Sequence, residues 1–207
     1  MKPWHLSLFF ATPFLAIGLA QIGSLDWHDV HHAALGFSEA LAMTLLVTLV
    51  LKKSVGSLRP NFLARCQPDA SGACTGDPNL IRDGRDSFPS GHTSTAFVGG
   101  TYLSLYLWGK LRPFRTGGAL WKVLVILTPV VIASLVGASR IIDRRHRTED
   151  VLAGALIGAG FAYLGYRMNY PNPWSKNAGK PLTRKRFVAT PLLGNGTYGV
   201  AISGSLD

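Results

Sequence analysis

Five apolar runs punctuate the chain, each long enough to cross a bilayer. They cover residues 5–22, 33–51, 93–108, 119–138 and 151–166. A spanning helix needs roughly 17 to 25 such residues, and the two shortest runs, 93–108 and 151–166, sit at the lower edge of that requirement. The first run, from His5 to Ile22, carries no formal charge. It is long for the apolar part of a signal peptide, and no small-residue cleavage site precedes Asp26-Trp27-His28-Asp29. It reads as a membrane helix kinked at Pro13.

The remaining segments are polar. Residues 23–32 read as a connection, 54–91 as a large extramembrane loop rich in Gly, Pro, Asp and Arg, and 171–207 as a basic tail. The tail contains Pro171, Pro173 and Pro181, ends its polar part at Arg184-Lys185-Arg186, and is expected to lack a core of its own. The predicted fold is all-α: an integral membrane helical bundle of about five helices, with residues 1–170 as one membrane domain. Gly154, Ala155, Gly158, Ala159, Gly160 and Ala162 mark the last helix as one that neighbours approach closely.

Composition sharpens this picture. Of 207 residues 47% are apolar, yet the formal net charge is +10. High apolar content with basic ends fits a bilayer and its anionic headgroups. Nucleic acid is the rival partner, but the basic residues fall between apolar runs rather than along one polar helix. Cys66 and Cys74 bracket a turn-rich segment, which leaves two readings open: a small disulfide-closed loop in an oxidising compartment, or two free thiols.

Counting crossings adds a constraint. The second helix ends at Lys52, the third begins near Thr93, the fourth ends before Ser139 and the fifth begins around Val151. Three polar clusters therefore emerge on one membrane face: Lys52 with Arg59-Pro60, then Pro89-Ser90-Gly91-His92, then Ser139-Arg140 with His146 and Asp150. Lys52, Arg59 and Arg140 bring positive charge, Ser90 a hydroxyl and Gly91 a backbone N–H open to close approach, which together describe a phosphate cradle. If a helix starts at His146, Asp150 lies one turn on, where it can hold one ring nitrogen and free the other for nucleophilic attack. His92 is then available as a proton donor. All parts of a phosphoryl-transfer site are present with no metal or cofactor called for. Set against this is a plain reading of Ser139–Asp150 as a basic interfacial loop whose His–Asp pair caps a helix. Lys53 reads as an interfacial anchor, and His5, His28, His31 and His32 as interfacial residues.

Lys-x6-Arg-Pro, Pro-Ser-Gly-His and Ser-Arg-x5-His-x3-Asp, filled in order across residues 52–150, resemble the three signature motifs of the phosphatidic acid phosphatase type 2 superfamily. That superfamily also includes bacterial acid phosphatases, glucose-6-phosphatase and vanadium haloperoxidases. The stretch from Arg59 to Asp69 is similar to the loop start of membrane lipid phosphate phosphatases, including the diacylglycerol pyrophosphate type. The resemblance implies a phosphohistidine on His146 oriented by Asp150, with His92 as acid and then base. It implies that Lys52, Arg59, Ser90, Gly91 and Arg140 hold phosphate, without magnesium. Lipid members of the family usually have six membrane helices, and the five read here lack a counterpart of the first, so the chain is expected to be truncated or its gene model to begin late.

The expected activity is hydrolysis of a lipid phosphomonoester or pyrophosphate such as phosphatidate, lysophosphatidate or diacylglycerol pyrophosphate. The alternatives are a catalytically impaired lipid-phosphate-binding protein and a phosphatase for a polyprenyl pyrophosphate or sugar phosphate. A homo-oligomer is not indicated. Lys and Arg divide almost evenly between the two faces, but Lys52, Arg59 and Arg140 have a binding role. Discounting them tips the positive-inside balance toward a cytosolic tail and a luminal or extracellular site, with the sequon Asn195-Gly196-Thr197 left unused.

Overall fold

Asp26 begins the visible chain by capping a helix: its carboxylate accepts the N–H of His28 at 3.1 Å. The computed structural model describes residues 26–114, 119–182, 186–194 and 197–205, so the predicted helix at 5–22 lies outside the described residues. Helix α1 (Trp27–Val55) ends where Gly56 takes a left-handed φ of 59° and returns its N–H to the carbonyl of Lys52. Two short helices, α2 (Phe62–Cys66) and α3 (Pro78–Gly84), lie in the polar loop. Asp77 starts α3 by accepting from Asn79 N at 2.7 Å, with Pro78 in the first turn. Three long helices follow: α4 (Gly91–Leu111), α5 (Ala119–Ile142) and α6 (Thr148–Asn169).

Among the described residues, α1, α5 and α6 are long and apolar enough to cross a membrane. Helix α4 is the axis of the bundle and packs on all three. Its neighbours cover it, so small and hydroxylated residues replace a lipid-facing surface: Thr93, Ser94, Gly99, Gly100 and Ser104 are buried. Ser94 accepts from Thr48 of α1 at 3.1 Å, and Ser104 donates to the carbonyl of Ile126 of α5 at 2.6 Å. Leu46, Leu49, Leu124, Leu135, Leu152 and Leu156 instead project outward, where lipid would cover them.

Close approach of α6 to α4 rests on two glycines. A Cβ on Gly154 would stand 2.6 Å from the carbonyl oxygen of Ser90, and one on Gly158 would press on the Ser94 carbonyl and stand 2.9 Å from Val98 N. The small residues of the last helix thus act as the sequence suggested, except that Gly160 meets nothing within 4 Å.

At the opposite end from the motif clusters, the buried Asp29 carboxylate accepts from Tyr106 at 2.6 Å and Tyr170 at 3.0 Å and pairs with Lys110 at 2.7 Å. One acid thereby ties the start of α1 to the ends of α4 and α6. Residues 27–32, expected as part of a connection, are therefore helical, because their polar member faces inward to three partners. Helices α1, α5 and α6 likewise extend beyond the expected limits of 33–51, 119–138 and 151–166.

The tail also differs from the expectation. Residues beyond α6 fold back on this end: Tyr170 and Ala178 are buried, Leu182 N bonds to Asn169 O at 2.8 Å, and Arg112 donates to Ala178 O at 2.8 Å. Strands β1 (Arg186–Gly194) and β2 (Thr197–Ser205) then form an antiparallel hairpin, Arg186 opposite Ser205 and Gly194 opposite Thr197.

Replacing Gly158 by Ala should force α4 and α6 apart and cost about 1–3 kcal/mol, the usual penalty of overpacking. Gly160→Ala should be neutral or slightly stabilising. Thermal unfolding in detergent micelles checks both, and equal melting temperatures for the two variants would contradict the close contact.

Candidate functional site

The site is assembled where α1 ends and α4 and α6 begin. A backbone bond from Ser90 N to the carbonyl of Asp150, 2.9 Å long, joins the first turns of α4 and α6. Ser87 N on Ser57 O and Arg59 N on Gly84 O, both 2.9 Å, draw the polar loop back over these helix ends. Within that loop Cys66 and Cys74 are joined as a disulfide, so of the two open readings the structure adopts the closed loop.

The chain between α5 and α6 makes a compact turn. Arg144 takes a φ of 51°, and the N–H groups of Arg145 and His146 both point to the carbonyl of Arg140, at 3.1 and 3.3 Å. The turn swings His146 inward until only 3% of it is exposed. Its Nδ1 lies 3.6 Å from Asp150 Oδ2 and 3.5 Å from Ser87 Oγ. Asp150 Oδ2 accepts from Ser87 Oγ at 2.6 Å and from Arg147 N at 2.9 Å. The expected pair therefore meets, but by a different route. His146 does not begin a helix: α6 starts at Thr148, with Asp150 in its first turn accepting the N–H of the capping Arg147.

Cations surround the pair. Lys52, in the last turn of α1, donates to the Asp86 carbonyl at 2.9 Å, and its stem passes 3.6 Å from where a Gly91 Cβ would sit. Arg59 donates from Nη2 to Asp83 at 2.8 Å, and the same carboxylate takes Arg65 at 2.7 Å. The Nε of Arg59 is buried and has no hydrogen-bond partner among the described residues. Arg140 reaches Ser139 Oγ and, at 3.3 Å, Asp143. His92 stands exposed in the first turn of α4, where the charges of Arg140, Arg59, Lys52 and Arg145 bear on it. Ser90 lends no side-chain cap to α4, which leaves the start of that helix suited to an anion.

Burial, then the charges of Arg59 and Lys52, push the His146 imidazole down to about 4 against the pull of Asp150. The ring is neutral at ordinary pH, as a nucleophile or base requires. Burial also draws the Arg59 guanidinium below its ordinary value, while Asp83 works the other way.

Comparison with known proteins identifies the family. The model of the PAP2 superfamily matches residues 33–174. The chain belongs to the PAP2 superfamily. A PA-phosphatase related-family protein of Dictyostelium discoideum is 42% identical over 93% of this chain and 72% of its own length. Lipid phosphate phosphatase 2 of Arabidopsis thaliana is 38% identical over 86% of this chain and 65% of its own. A probable diacylglycerol pyrophosphate phosphatase 1 of Schizosaccharomyces pombe is 44% identical over 61% of this chain and 49% of its own. The chain thus spans from about half to under three quarters of these relatives' lengths. No solved structure gives a significant match.

For a PAP2 superfamily member the eight residues singled out from sequence fall in one neighbourhood: direct contacts link Ser90, Asp150 and His146, the Lys52 stem passes beside Gly91, and mutual charge effects link Arg59, Lys52, His92 and Arg140. Sequence reading missed Ser87, a lone serine in a loop with no spacing to mark it. It also missed Asp83 and Asp86, the acids that hold Arg59, Arg65 and Lys53. The ammonium of Lys53 pairs with Asp86 at 2.6 Å.

Stability should carry the mark of His146. Its ordinary value of 6.5 in the unfolded chain lies above the folded one, so between these limits unfolding takes up a proton. This contribution is whole above about 6.5 and shrinks as pH falls toward 4. Melting temperature measured from pH 7 to pH 5 should fall more steeply for the native protein than for His146→Gln, and parallel slopes would contradict the buried neutral ring.

Proposed function

We propose that the chain is a membrane lipid phosphate phosphatase working through a phosphohistidine. The observation that carries this reading is the Nε of Arg59, buried and without a partner among the described residues, on a guanidinium whose charge bears on a neutral His146 near Asp150. A guanidinium nitrogen withheld from water and protein is costly unless a ligand completes it. A phosphate oxygen supplies what it lacks.

His146 attacks phosphorus through Nε2 while Nδ1 faces Asp150. The P–O bond to the leaving group breaks, and His92 gives that oxygen its proton. Water then attacks the phosphohistidine, loses a proton to His92, and the P–N bond breaks to restore both imidazoles. Lys52, Arg59 and Arg140, with Ser90 and the N–H of Gly91, hold the phosphate oxygens and carry the charge a metal supplies in other phosphoryl transfers.

Lipid substrate is supported by the site's position at the ends of apolar helices, where an acyl product stays in the bilayer, and by the names of the Arabidopsis and Schizosaccharomyces relatives. The Cys66–Cys74 bridge favours an oxidising compartment on the site's face, hence a luminal or extracellular site and a cytosolic tail.

Phosphate release from phosphatidate, lysophosphatidate and diacylglycerol pyrophosphate in mixed micelles, with glucose 6-phosphate as the soluble control, tests the reading. Lipid turnover should persist in excess chelator and fall at least about a thousandfold in His146→Asn, as when a nucleophile is removed. Binding of lipid phosphate without turnover, strict metal dependence, or undiminished activity of the variant would each sink it. Protease-closed or sealed vesicles in which only the cytosolic leaflet's substrate is consumed would reverse the orientation.

A further inference from the structure

We propose that Ser87 is a positioning residue for His146, the third member of a Ser87–Asp150–His146 relay that fixes the tautomer of the ring. The inference rests on the reading of His146 as the nucleophile. Ser87 is wholly buried, with 0% exposure. Its hydroxyl has one proton, and the 2.6 Å contact to Asp150 Oδ2 takes it, because a carboxylate oxygen can only accept. The Oγ lone pairs remain, and His146 Nδ1 lies 3.5 Å away. Direct contact between Nδ1 and Oδ2 is longer, at 3.6 Å. Both distances exceed a good N–H···O bond, so Ser87 Oγ is the nearer of the two acceptors that Nδ1 faces and neither alone fixes the ring.

The surroundings make that second acceptor matter. Asp150 Oδ2 also accepts from Arg147 N at 2.9 Å, so its charge is already divided. The other charged or titratable groups that face His146 are Arg59, Lys52 and His92, all of which oppose a proton on the ring. With Nδ1–H held by Ser87 and Asp150, the Nε2 lone pair is the one left for phosphorus. Ser87 itself is placed by its N–H bond to Ser57 O and by the nearby Ser90–Asp150 backbone bond, so the polar loop, and not only α6, sets the aim of the nucleophile.

Removing the hydroxyl has two consequences. The ring gains freedom to take the other tautomer, which lowers kcat while leaving phosphate binding alone. Asp150, having lost a donor, places more charge against the ring, so His146 takes up a proton at higher pH.

Ser87→Ala should therefore lower kcat about 10- to 100-fold, the range for loss of a partner that orients a reactive imidazole. KM and inhibition by inorganic phosphate should stay within about 2-fold, and the acidic limb of the pH–rate profile should move upward. Native kcat with an unmoved limb, or a loss confined to KM, would overturn the proposal. If Ser87→Ala does not fold, Ser87→Cys decides: its weak thiol donor should give the same loss and shift, and native behaviour would overturn it. ¹⁵N spectra of histidine-labelled protein in micelles separate this inference from the functional reading. They should show His146 protonated on Nδ1 in the native chain and a tautomer mixture in the serine variant, even if no lipid phosphate is turned over. A native mixture would overturn the relay, whereas a native chain without turnover but with a fixed tautomer would sink only the phosphatase reading.

Discussion

The hydrogen bond from Ser90 N to Asp150 O, 2.9 Å long, is the point on which the site hangs. It requires two helices to begin within backbone reach of each other, which only glycine at 154 and 158 permits. From it follow the position of Ser90 at the start of α4 and the placing of Ser87 beside His146 and Asp150. The far end of the bundle is fixed independently by Asp29 with Tyr106, Tyr170 and Lys110. Held at both ends, α4 and α6 have little freedom to slide.

Charge is distributed with a purpose. Lys53, Arg59 and Arg65 have carboxylate partners in Asp86 and Asp83, yet among the described residues Lys52 donates to a carbonyl and Arg59 keeps a buried nitrogen unpaired. The polar loop thus neutralises its outer cations and leaves the inner ones under-satisfied, where a dianion would complete them. Burial first, and then the same cations, keep His146 unprotonated. One field therefore serves two ends, binding an oxyanion and preserving the lone pair that would attack it.

Much of this was legible in the sequence because helix crossings convert spacing into sidedness. Lys52, His92, Arg140 and Asp150 had to emerge on one face once the apolar runs were counted, and their residue types then spoke for phosphate. Local geometry was less legible. A four-residue spacing suggested that His146 and Asp150 share a helix, whereas a turn through a left-handed Arg144 brings them together from outside it. Asp29 read as a connector because its inward partners lie 77 and 141 residues away. Ser87 left no trace because a single hydroxyl acquires meaning only from what surrounds it. The fold-back of residues 170–182 was hidden for the same reason: its contacts are to the ends of α4 and α6, not to itself.

The most direct measurement of the central claim is a rapid-quench experiment with ³²P-labelled phosphatidate, followed by peptide mapping of the trapped enzyme. The account predicts an acid-labile, base-stable phosphate that forms and decays at the rate of turnover on the peptide containing His146. Label on another residue, or turnover with no labelled enzyme at any time, would contradict it.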